Sequence, residues 1–111
     1  MADRIVVIIG TGEAAKAEAG LMYAVNSLKH KWLTDVRLFF FGPAEGLLLR
    51  DEDLQELVME YHRQGGTAVA CRYLSDREGS SAGLDDLGLD VAYVGEPISD
   101  LIKEGYVPMV W

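Results

Sequence analysis

The sequence is poor in the features that most directly point to a function. It holds one cysteine, Cys71, which excludes an internal disulfide and any cysteine-rich zinc cluster. Basic residues are outnumbered: 10 Lys and Arg stand against 18 Asp and Glu, for a formal net charge of −8. A chain of that sign repels phosphate backbones, so nucleic acid is not expected as a bulk partner. No apolar run approaches the roughly 18 residues that a spanning helix needs, so no membrane span is expected. The N-terminal apolar stretch Ile5 to Ile9 is too short for a signal-peptide core and has no small-residue cleavage site, which predicts a cytoplasmic chain. Internal repeats, low-complexity tracts and linkers are missing too. What remains is 111 residues, half of them hydrophobic, which suits one domain with a real core spanning 1–111.

The elements follow from periodicity. Ile5-Val-Val-Ile-Ile9 is a continuous β-branched run, as in a strand buried on both faces. From Glu13 to His30, Ala14, Ala17, Leu21, Ala24, Val25 and Leu28 form one apolar stripe of a helix, closed by basic residues where the helix dipole favours them. Val36 to Phe41 reads as a second strand ended by Gly42-Pro43. Asp51 is a good N-cap for a second helix running to Gly65-Gly66. Thr67 to Cys71 reads as a third strand, and Val91 to Val94 as a fourth. Between them, Ser75 to Gly88 reads as a polar, glycine-rich loop with a short helix near Leu84 to Leu87. Pro97 marks the start of a short helix that ends at Gly105. Val107 to Trp111 is the last strand. Its Pro108 cannot donate to a ladder, so the strand belongs at an edge. Strands alternating with helices predict an α/β fold with a parallel sheet covered on both faces.

The first candidate site is the turn after the first strand. Gly10, Gly12 and Ala15 spell G-x-G-x-x-A, close to a dinucleotide fingerprint. A dinucleotide site also needs an acidic residue at the end of the second strand to hold the ribose. That strand ends Phe39-Phe-Phe-Gly-Pro, Asp35 lies at its opposite end, and Glu45 falls past the turn. No tight binding of NAD, NADP or FAD is expected, and no cofactor is implied. A small molecule or nucleotide at the Gly10/Gly12 turn stays open as a reading.

Cys71 is better placed, at the carboxyl end of the third strand, where open α/β sheets build their sites. Arg72 and Arg77 follow it, and nearby cations favour the reactive thiolate. A buried structural cysteine fits the same position. His30 and His62 read as solvated residues near helix C-termini. Asp85, Asp86 and Asp90 have no metal-loop spacing and read as a solvated turn, and Ser80-Ser81 reads as loop. Trp32, Phe39 to Phe41 and Met109 to Trp111 supply more apolar surface than one small sheet easily covers, which predicts a homo-oligomer with the last strand near an interface.

Four segments carry a family resemblance: "RIVVIIGTG" leading into an Ala-rich helix, "FFFGPAEGLLL", "GGTAVACRYLSD" and "GEPISDLIKEGYVPMVW". Together they resemble the DsrE/DsrF family of small sulfur-relay proteins over essentially the whole chain. The resemblance implies a three-layer α/β/α fold with a five-stranded parallel sheet, and assembly into dimers, trimers or hexamers. It also implies a sulfurtransferase-like carrier in which Cys71 bears a persulfide, receiving sulfur from a donor protein and passing it to an acceptor. Arg72, Arg77 and the glycine-rich loop would then stabilise the charged sulfur. With no second cysteine, the acceptor thiol must belong to another molecule. Two other readings stand beside this one: a non-catalytic oligomeric scaffold with Cys71 buried, and the small-molecule binder at Gly10 and Gly12.

Overall fold

The computed structural model describes residues 3–111. The chain forms β1 (Arg4–Ile9), α1 (Ala14–Lys29), β2 (Asp35–Phe40), α2 (Pro43–Arg50), α3 (Glu52–Arg63), β3 (Val69–Cys71), α4 (Arg72–Glu78), α5 (Ser81–Asp86), β4 (Asp90–Ala92), α6 (Gly95–Lys103) and β5 (Val107–Val110). All strand pairs are parallel, in the order β4-β3-β2-β1-β5. The three-layer α/β/α fold with a five-stranded parallel sheet is therefore present as expected. Pro108 lies on the edge strand β5, beside Val6 of β1.

Topology sorts the helices onto faces. Four strands step in one direction from β1 to β4, and right-handed crossovers keep their connections on one side. The return to β5, beside β1, sends α6 to the other side. Side-chain alternation matches this. Ile5, Val7, Ile9, Val36, Leu38, Phe40 and Ala70 face a large core with α1, α2, α3 and α5. Val6, Phe39 and Cys71 face a smaller one with Leu101 and Ile98 of α6. Each fully buried Leu, Ile or Phe contributes roughly 1.5–3 kcal/mol, so the larger cluster dominates stability.

One stretch that the sequence left unassigned is a helix, and one that read mostly as loop is helical. The stretch after Gly42 is a helix, α2, with Pro43 in its first turn and Leu47 and Leu48 buried. The polar stretch from Ser75 to Gly88 is mostly helical, with more helix than the short one expected near Leu84 to Leu87. It forms α4 and α5, joined at Gly79, whose φ of 73° only glycine adopts easily. Ser75 is buried there and shares a 2.7 Å hydrogen bond with Ser81, which in turn donates to Asp76. Hydroxyl pairing, rather than apolar periodicity, joins these two short helices, which is why the sequence pattern showed only part of α5, near Leu84, and none of α4.

Candidate functional site

Parallel sheets build sites at the carboxyl ends of their strands, most often where strand order reverses. Here the reversal lies between β1 and β5, and the chain itself fills it. The Trp111 carbonyl accepts from the Gly10 N–H at 2.8 Å and from the Thr11 N–H at 3.2 Å, while the Glu13 N–H bonds to Thr11 Oγ1. A phosphate at the Gly10/Gly12 turn would need those first two donors. The two glycines serve packing instead: a Cβ on Gly12 would come 3.2 Å from Pro43 Cβ, and one on Gly10 would meet the Phe41 carbonyl oxygen at 3.5 Å. The β1–α1 turn thus abuts the β2–α2 turn.

Cys71 is the last residue of β3 and the cap residue of α4. Its thiol is free but only 6 % exposed, among Val6, Phe39, Val94, Leu101 and Tyr106. Alternation along β3 explains this, because Ala70 faces the large core and Cys71 must face α6. The two arginines diverge from it. Arg72 donates to the Val91 carbonyl at 2.6 Å, towards β4. Arg77 lies 3.4 Å from Glu78, with its guanidinium 6.0 Å from the centre of the Tyr73 ring. Neither is hydrogen-bonded to the Cys71 sulfur among the described residues.

The strongest electrostatic feature is Glu45, in the first turn of α2. Burial pushes its carboxyl up to about 7, against the backbone N–H groups of Gly42 and Cys71, which face it and favour the charged form. Gly42 is the cap residue of α2 and Cys71 ends β3, so the carboxyl lies between the β2–α2 turn and the end of β3. Its Oε2 is buried without a hydrogen-bond partner among the described residues. Glu45 lines an open cleft of about 470 Å³ between α2 and α4, with Arg50 and Arg77 at its rim. Sequence reasoning set Glu45 aside as lying past the turn. Its signal was local: Gly-Pro followed by Glu at the third helical position marks a helix start, which places the carboxylate at the sheet edge.

The histidines also differ from each other. His30 is exposed and stacks on Trp32, with ring centres 5.4 Å apart. His62 is not simply solvated, because its Nε2 accepts from the Ala68 N–H at 3.2 Å and burial holds its pKa below the ordinary value. No helix among the described residues is long and apolar enough to cross a membrane.

No family model and no curated protein matches the sequence. Solved structures do. BT1422, a conserved protein of unknown function from Bacteroides thetaiotaomicron, aligns with a TM-score of 0.81 at 24 % identity, over 96 % of this chain and 94 % of that one. The ychN protein of E. coli aligns with a TM-score of 0.82 at 17 % identity over the whole of both chains. MTH1491, a protein of unknown function from Methanobacterium thermoautotrophicum, gives 0.75 at 23 % identity, over 97 % of this chain and 98 % of that one. At these identities the likeness establishes a shared fold over the full described chain.

Proposed function

We propose that the chain is a sulfur-relay protein of the DsrE/DsrF-like kind, with Cys71 as its carrier thiol. What supports this is the position of Cys71, at the carboxyl end of a central parallel strand and at a strand-to-helix junction, together with the segment resemblance described above. In the step proposed, the Cys71 thiolate attacks the outer sulfur of a donor persulfide. The donor S–S bond breaks, an S–S bond forms on Cys71, and the donor leaves as a thiolate. An acceptor thiolate then attacks the outer sulfur and releases Cys71, so the relay is redox-neutral. The thiol is covered at rest by Val94 and Leu101, so transfer needs an opening of α6 or of the short α4. Such local opening is normal for weakly packed elements.

Burial of Cys71 favours a second reading, a non-catalytic oligomeric scaffold. Both readings share a homo-oligomer. Val110 on β5 is 71 % exposed and lies beside Ile8 on the α6 face of the sheet, and Phe41 is exposed just past β2. A second copy is the proposed cover for this surface.

Intact-mass analysis after incubation with inorganic polysulfide tests the relay. A gain of one or more sulfur atoms, reversed by dithiothreitol and lost in Cys71→Ser, is expected. A wild-type protein that gains none overturns the carrier reading and leaves the scaffold.

A further inference from the structure

The cleft between α2 and α4 carries more than packing explains. Its walls include Gly42, Glu45 and Arg50 on one side and Leu74, Arg77 and Ser80 on the other, and its volume of about 470 Å³ is in the range of small-molecule sites. Glu45 is only 3 % exposed, yet its Oε2 lacks any hydrogen-bond partner among the described residues. A bare carboxyl oxygen inside a protein is costly. Oε2 is sealed from solvent, so a polar partner in the cleft reaches it, and removes that cost, when the side chain rotates towards the cleft.

The arginines supply the second half of the argument. Arg50 pairs with no carboxylate among the described residues, and Arg77 has only its exposed neighbour Glu78. Arg50 folds back over the turn that holds Glu45: a Cβ on Gly46 would lie 3.4 Å from Arg50 Nη1. Two guanidinium groups thus border one cleft in a chain of net charge −8. An anion alone would satisfy the arginines but leave Oε2 bare beside it. A cation alone would satisfy Glu45 but face the arginines. A molecule with both charges satisfies all three groups.

We propose that this cleft binds a small zwitterion of the amino-acid class, its ammonium group donating to the Glu45 carboxylate as that side chain rotates into the cleft, and its acid group held by Arg50 and Arg77. The site does not depend on Cys71 acting as a nucleophile. Binding requires Glu45 in its charged form, so the ligand displaces a proton where the empty site is partly protonated. The other charged side chains lining the cleft are Arg50, Arg77 and Glu78, and proton release is expected to persist in Glu78→Gln.

The test is a titration with glycine, β-alanine and 4-aminobutyrate, followed by backbone amide NMR, with acetate, butyrate and methylammonium as single-charge controls. One chain length is expected to saturate shifts at Gly42, Gly46 and Leu74, about tenfold or more tighter than its controls. Glu45→Gln and Arg50→Ala should each weaken it by about tenfold, and Cys71→Ser should leave it unchanged. The amide spectrum of each variant reports its fold, and Arg50, an exposed residue, gives a variant that leaves the core untouched. Calorimetry near about pH 6 in buffers of different ionisation enthalpy should show proton release. The proposal is overturned if no amino acid saturates, if the controls bind as tightly, or if both folded variants bind like the wild type. Sulfur loading of Cys71 is read separately, so either result stands without the other.

Discussion

The indole of Trp111 lies directly against Gly20 of α1: a Cβ on Gly20 would come within 2.6 Å of Trp111 Cγ and 2.7 Å of Ile9 Cδ1. Glycine in mid-helix lowers helix stability by about 1 kcal/mol relative to alanine, so its presence here needs a packing reason, and the indole supplies one. Gly20→Ala is expected to destabilise the protein by roughly 1–3 kcal/mol despite the gain in helix propensity. Urea unfolding measures this. Combined with Trp111→Ala, the same substitution should cost less than it does alone, because the contact with the indole is gone and only that with Ile9 Cδ1 remains.

Glu45 makes stability depend on pH in an unusual direction for a carboxylate. Its folded pKa of about 7 lies above the ordinary value of 4.5, so the folded state holds the proton more tightly than the unfolded one. The contribution is fully present below the ordinary value and is lost as pH rises through about 7. Its full extent is about 3 kcal/mol. Urea unfolding of wild type and Glu45→Gln between these limits should show a slope in the wild type that the variant lacks.

His62 acts in the opposite direction. Burial lowers its pKa in the fold, so the unfolded chain takes the proton first. Its contribution is present above the ordinary histidine value and is lost as pH falls below it. The Ala68 N–H then faces a second donor in place of an acceptor. Loss of that bond is worth about 1 kcal/mol. His62→Gln, which keeps an acceptor at every pH, should flatten the acid limb of the stability profile relative to wild type.

Assembly is tested at Val110, whose side chain is largely exposed on the edge strand. Val110→Glu should reduce the mass found by light scattering to that of the monomer while leaving monomer secondary structure intact. A wild-type protein that is already monomeric at micromolar concentration contradicts the predicted oligomer.

Much of the fold was legible because its signals are local. The β-branched run at Ile5 to Ile9 and the stripe from Ala14 to Leu28 mark buried parallel-sheet and helix patterns, and Pro108 announced an edge strand. α4 was hidden, and α5 read only in part from Leu84, because Ser75, Ser81 and Asp76 hold them with hydroxyl and carboxylate hydrogen bonds, which leave little hydrophobic period. At the candidate site, the position of Cys71 in chain order was readable. Its burial was not, because the face a strand residue takes depends on where α6 crosses. The divergence of Arg72 and Arg77 depends on α4, which periodicity did not show. The Gly10/Gly12 turn looked free only because the Trp111 carbonyl that fills it arrives from the far end of the sequence.

The central claim is that Cys71 is a working thiol that the fold covers at rest and opens on demand. Iodoacetamide alkylation of the native protein across pH, with Cys71→Ser as the blank and free cysteine as the reference, tests it most directly. The account predicts that native Cys71 labels at a rate below that of free cysteine but well above that of global unfolding, and that a substitution loosening its cover, Leu101→Ala, speeds labelling without unfolding the protein. Labelling only after denaturation, at the rate of global unfolding in both proteins, would contradict the carrier reading and leave Cys71 as a core residue of a scaffold.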